Sequence, residues 1–153
     1  MASSNDEEIR AHIERIVATQ LPNSAIYNFL LSSVRIHSAT RGNVKARLVL
    51  TRNHVNSRGG IHGAVSAAVV DWAGGMAIAT WDLREKTGVS VDIHVRYLSS
   101  AAEGDEVEIE GVADKVGSSV AFTRVIISKV VGGEAGPVIA SGTHTKYVRQ
   151  QGR

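Results

Sequence analysis

Between Ile61 and Trp81 the chain runs through small and apolar residues that would cover every face of a helix, and the one acid in that run is Asp71. No other segment restricts the fold as strongly. A helix that is apolar all round has no side to offer to water, so other elements must surround it. A membrane span is the other setting for such a run, but an ionised Asp at its centre would cost about 2.5–3.5 kcal/mol even on the lenient insertion scale. The segment is therefore read as a helix buried in a globular core. Ile61, Val65, Val69, Trp72 and Met76 form its bulky ridge, while Ala64, Ala67, Ala68, Gly74 and Gly75 leave room for another backbone to come close. The Gly74-Gly75 pair weakens a helix intrinsically, so packing must compensate.

The flanking segments read as one short helix and six strands. Asp6 to Thr19 places Ile9, Ile13, Ile16 and Val17 at helical spacing behind an acidic first turn that suits the positive end of the helix dipole. After Pro22 come Tyr27, Phe29 and Leu30. Val34 and Ile36, then Val44, Ala46, Leu48 and Leu50, alternate around a turn at Gly42-Asn43, as in a hairpin. Thr51 to Gly60 is a polar loop ending in glycines. Beyond the apolar run, Val89–Leu98, Val107–Val112, Val120–Val131 and Val138–Val148 read as strands punctuated by Gly104-Asp105, Gly117-Ser118 and Gly132-Gly133. A helix, two strands, a buried helix and four strands, without alternating βαβ units, predict an α+β fold: one antiparallel sheet wrapped on a central helix. A length of 153 residues suits a single domain spanning 1–153.

Composition removes several kinds of function. The formal charge of +2 is dispersed, with no basic run interleaved with aromatics, so a nucleic-acid groove is not expected. With no cysteine, disulfides and thiolate zinc sites are excluded. His12, His37, His54, His62, His94 and His144 show no metal-ligand spacing, and neither a metal nor a cofactor is expected. The first residues carry no signal or transit pattern, which points to an intracellular, cytoplasmic protein, with the mitochondrion as the alternative.

The chemistry concentrates in Asn56 to Gly75. A carboxylate two turns into an apolar helix loses its hydration, so Asp71 is either satisfied by neighbouring polar groups or functional. At the mouth of the helix, Gly59, Gly60 and Gly63 either shape a tight loop or bring free first-turn N–H groups to an oxyanion. Gly63 and Asp71 lie eight residues apart, about 12 Å along a helix axis, so both cannot touch one carbonyl. If both act on one substrate, each comes from a different copy of the helix, as in a two-fold dimer. A serine hydrolase is not supported, because His62 and Ser66 lack a nucleophile elbow and a third partner.

Asn56, Gly59, His62, Gly63, Ala64 and Asp71, followed by GVSVDIHVRYLS, VGSSVAFTRV and GTHTKYV, resemble the PaaI-type hotdog thioesterases, including the animal members that act on long-chain acyl-coenzyme A. The resemblance covers Ser32 to Val148. It implies a hotdog fold, hydrolysis of acyl-coenzyme A without a cofactor, and a homo-oligomer read as a tetramer built from two dimers. Asp71 would activate the attacking water or attack directly. The Gly63 N–H would polarise the thioester carbonyl, Asn56 would help position the water, His62 would support the loop, and Ser90 would bond near the carboxylate. Ser118, Ser119 and Lys146 would meet coenzyme A, or else are ordinary solvent-facing polar residues. Ala64 replaces the second glycine of the family's His-Gly-Gly, which implies altered acyl preference. The rivals on the same fold are a non-hydrolytic acyl-thioester binding module and a biosynthetic enzyme acting on a carrier-protein thioester.

Overall fold

The computed structural model describes residues 3–149, so the outermost residues of the expected 1–153 domain lie outside the described part. The first helix, α1 (Ser4–Asn23), starts at a reciprocal cap in which Ser3 Oγ accepts from the Asp6 N–H and the Asp6 carboxylate accepts from the Ser3 N–H. Ile9, Ile13 and Val17 form its buried stripe. It runs beyond the expected end at Thr19 and carries Pro22 in its last turns. Ser24, extended at φ −127° and ψ 105°, closes α1 and also caps a second helix, α2 (Ala25–Leu31), which periodicity does not reveal.

The expected hairpin follows as β1 (Arg35–Thr40) and β2 (Asn43–Val49), joined through Gly42, whose φ of +78° suits a residue without a side chain. A 3₁₀ turn at Arg52–His54 leads through the polar loop to the central helix, α3 (Gly63–Asp82). The remaining strands are β3 (Val89–Tyr97), β4 (Glu106–Val116), β5 (Val120–Val131) and β6 (Glu134–Tyr147). All six form one antiparallel sheet in the order β1-β2-β4-β5-β6-β3. The fold is α+β, with the sheet wrapped on α3 as the hotdog arrangement requires.

Helix α3 is long and apolar enough to cross a membrane by composition, yet 72% of its most apolar window is buried within the fold. Val65, Val69, Trp72 and Met76 are buried, as the ridge predicts, and they meet the inward residues of the sheet, among them Val44, Leu48, Ile109, Val125 and Ile139. The small residues Gly74 and Gly75 do not open α3 to a second helix. A Cβ on Gly74 would stand 2.7 Å from Thr123 Oγ1 and 2.8 Å from His144 Nδ1, and one on Gly75 would stand 3.0 Å from Thr87 Oγ1. The chain's own sheet and the segment leading into β3 fill that space. From the sheet side, Gly111 on β4 approaches just as closely, since a Cβ there would lie 2.6 Å from the Ala73 carbonyl oxygen.

The other side of the sheet is polar, with Arg47 bonded twice to Glu108, at 3.2 and 2.9 Å, and Arg124 to Asp114 at 2.9 Å. Strand β3 ends the sheet beyond β6 and is exposed along almost its whole length, Val91 and Tyr97 included. Its pairing with β6 contains a bulge: Ser90 opposes Lys146 and Asp92 opposes Thr145, leaving Val91 as an extra residue.

Candidate active site

Asp71 sits midway along α3 with its side chain 35% exposed, and polar groups reach it from three elements. From α2, the Tyr27 hydroxyl donates to Asp71 Oδ2 at 2.7 Å. From β3, the Ser90 hydroxyl donates to Oδ1 at 3.3 Å. From β6, His144 Nε2 stands 2.8 Å from Ser90 Oγ and 3.6 Å from Asp71 Oδ1. The bulge in β3 is what turns Ser90 toward the acid. In an unbroken ladder Val91 would oppose Lys146, and Ser90 would face the other side of the sheet.

His144 is fully buried, and its Nδ1 has no partner. A neutral ring with its proton on Nε2 donates to Ser90 Oγ and leaves the serine proton for Asp71, which is the tautomer the network assigns. Burial holds the His144 imidazole below its ordinary value. Lys146 pushes the same way, and Asp71 opposes both. Lys146 is itself buried, with Nζ donating to Thr87 Oγ1 at 3.1 Å, and burial lowers its preference for charge against the pull of Asp71. Burial, then the bond and charge of Asp71, raise the Tyr27 phenol far above its ordinary value, so it remains a donor.

The depressed imidazole has a consequence for stability. As the pH falls through about 6.5, the unfolded chain takes up a proton that the folded ring refuses, so stability is lost on the acid side. The urea midpoint is expected to fall between pH 7 and pH 5.5, and to fall less in His144→Gln. Equal slopes in unfolding titrations of the two proteins would contradict this.

The second group of expected residues gathers at the start of α3. His62 is its N-cap, with Nδ1 accepting from the Ala64 N–H at 3.0 Å. Gly63 is the first helical residue, so its N–H has no acceptor within the helix. Its carbonyl accepts from the Tyr97 hydroxyl at 3.0 Å, and a Cβ added to Gly63 would stand 3.3 Å from the Tyr97 ring. Asn56 shapes the preceding loop: its Oδ1 accepts from the N–H groups of Arg58 and Gly60, at 2.9 and 3.3 Å. Among the described residues, no hydrogen bond joins this group to the one around Asp71.

The remaining expected residues fall elsewhere. Ser118 and Ser119 occupy the turn between β4 and β5, where the Ser119 carbonyl accepts from the Val148 N–H at 2.8 Å. Lys146, expected to meet coenzyme A or else to face solvent, points inward beneath α3, because Gly142, His144, Lys146 and Val148 share the buried side of β6 and its continuation. Tyr27 and His144 join the acid without having been expected there. The even-numbered alternation of His144 and Lys146 with Gly142 carries that signal for β6, whereas α2 carries none for Tyr27. Among the described residues, no group of three or more His, Asp or Glu side chains is placed to hold a metal.

An apolar helix wrapped by an antiparallel sheet, with one carboxylate exposed amid donors and a free N–H at its start, defines a hotdog thioesterase, and residues 58–135 match the thioesterase superfamily. The chain belongs to that superfamily and is a thioester hydrolase of the PaaI type. It is 31% identical over 134 residues to acyl-coenzyme A thioesterase 13 of Homo sapiens, covering 88% of this chain and 93% of that one. The crystal structure of zebra fish thioesterase superfamily member 2 superposes with a TM-score of 0.75 at 32% identity, covering 84% of this chain and 91% of that one. A Streptococcus pneumoniae thioesterase solved with coenzyme A shares the fold at a TM-score of 0.70 and 20% identity, covering 80% and 94%.

Proposed function

We propose that the protein hydrolyses acyl-coenzyme A thioesters, with the Asp71 carboxylate as general base toward water. The observation that carries this reading is the partly exposed Asp71 fixed between Tyr27 and Ser90. Asp71 takes a proton as the water oxygen bonds to the thioester carbon. The carbonyl oxygen, gaining charge, is met by the Gly63 N–H at the positive end of α3. When the tetrahedral intermediate collapses, the C–S bond breaks and the coenzyme A thiolate leaves, taking the proton that Asp71 holds. Asn56 and His62 keep the loop before Gly63 in shape, and Ser90 orients the acid.

Gly63 and Asp71 stand on the same helix about 12 Å apart, so one chain cannot bring both to one carbonyl. A complete site therefore takes Gly63 from one copy and Asp71 from another. The uncovered edge of β3 supports this, because its backbone N–H and C=O groups are free to continue the sheet into a second copy. Two such dimers make the proposed tetramer, and the cytoplasm is its proposed setting.

A complementation experiment tests the split site. Gly63→Pro removes the N–H at the first helical position, where proline is tolerated, and His62 at φ −73° and ψ 137° already has the backbone that precedes proline. Gly63→Pro and Asp71→Asn are each expected to be nearly inactive on a medium-chain or long-chain acyl-coenzyme A. Refolded together, they form mixed dimers in which one of the two sites is whole, restoring about a quarter of wild-type activity at random pairing. No recovery in mixtures shown to contain mixed dimers would refute the split site.

A further inference from the structure

We propose that Tyr27 is a positioning residue for the catalytic carboxylate: it occupies Asp71 Oδ2 and leaves Oδ1, beside Ser90, as the oxygen that takes the proton from water. The proposal rests on the reading of Asp71 as the base. Its geometric ground is the contrast between the two bonds, 2.7 Å from the Tyr27 hydroxyl to Oδ2 against 3.3 Å from Ser90 to Oδ1. A donor to a charged acceptor at the shorter distance is the stronger partner. The oxygen with the weaker partner keeps the lone pair that a base needs.

Everything around Tyr27 serves to hold that hydroxyl still. Ser24 breaks α1 and starts α2, so the chain turns by one residue and brings Tyr27 over the middle of α3. Leu30 and Leu31 bury the far end of α2 in the core. The buried His54 ring fixes the same end, its Nε2 lying 2.6 Å from the Leu30 carbonyl oxygen. A seven-residue helix has little stability of its own. Tied at both ends, it acts as a bracket whose inward tip is one phenol. Neither the helix nor its tyrosine is needed to complete the sheet, and Asp71 is the only acceptor that the Tyr27 hydroxyl meets among the described residues.

The groups facing the acid define the expected outcome. They are Tyr27 from α2, Ser90 from β3, and His144 and Lys146 from β6, with Asp92 acting on His144 from β3. His144 is held neutral, so Tyr27 is the strongest donor to the carboxylate. Removing its hydroxyl frees the carboxylate to rotate, so Oδ1 is no longer held toward the water.

The test is Tyr27→Phe, which keeps the ring and its packing. At pH 7.5, kcat is expected to fall about tenfold with KM for an acyl-coenzyme A within about twofold. In the Asp71→Asn background, Tyr27→Phe should produce no further loss, because it acts through the acid. A purely structural role would lower both backgrounds equally, and that result, or a rise in KM in place of a fall in kcat, would overturn the proposal. Full activity in Asp71→Asn alone would instead overturn the assignment of the base, so the two failures are told apart.

Discussion

Asp71→Asn is expected to reduce the turnover of acyl-coenzyme A by about 10³-fold, within the range that a positioned general base contributes. Asparagine has the shape of the acid, and its carbonyl oxygen still accepts from Tyr27, so the bracket formed by α2 should remain docked. What disappears is the capacity to take a proton from water. The Gly63 N–H and the rest of the binding surface are untouched, so residual hydrolysis above the uncatalysed rate is expected from carbonyl polarisation alone. Release of free thiol, followed with a chromogenic reagent beside size and far-UV circular dichroism controls, measures the effect. Hydrolysis at the wild-type rate would remove Asp71 from the mechanism.

Gly111→Ala is expected to destabilise the protein by about 3 kcal/mol, the upper end of the usual effect of overpacking. The added methyl would meet the Ala73 carbonyl oxygen at 2.6 Å and its carbon at 3.1 Å. Both belong to the backbone of α3, so no rotamer change relieves the contact. The helix must lift or the strand must bend, and either motion opens the core between Val44 and Trp72. Domains of this size commonly have only about 5–15 kcal/mol of stability, so the loss is a large part of the whole. Urea unfolding measures it, and a change below about 0.5 kcal/mol would show that the crossing of α3 and β4 is looser than described.

The fold was legible wherever a long period ran uninterrupted. Twenty residues of α3 without a polar face require a wrapping sheet, and the acid at its middle, Asp71, stands out as soon as the burial is recognised. The two-turn helix α2 was not legible. Ala25–Leu31 is too short for a helical stripe to emerge, and its start is hidden because Ser24 ends one helix and begins the next. Tyr27 therefore gave no sign of reaching an acid 44 residues away. Gly74 and Gly75 announced a close approach without naming the neighbour, since a missing side chain describes a space and not its occupant. A lysine near a chain's end suggests solvent by composition, but strand parity overrides composition: Lys146 shares its side with His144 and is buried with it.

The bulge at Val91 makes the acid's microenvironment a matter of counting. Along β3 the valines and isoleucine alternate with Ser90, Asp92, His94 and Arg96, so a straight ribbon would present an isopropyl group to the carboxylate and send the hydroxyl to the opposite surface. One surplus residue inverts that choice for Val89 and Ser90, while the stretch from Asp92 onward keeps the regular phase. Identical amino acids in a flat ladder would thus leave Asp71 in a greasy recess with a single donor. The difference between a reactive acid and a stranded one lies in strand arithmetic as much as in which residues the strand contains.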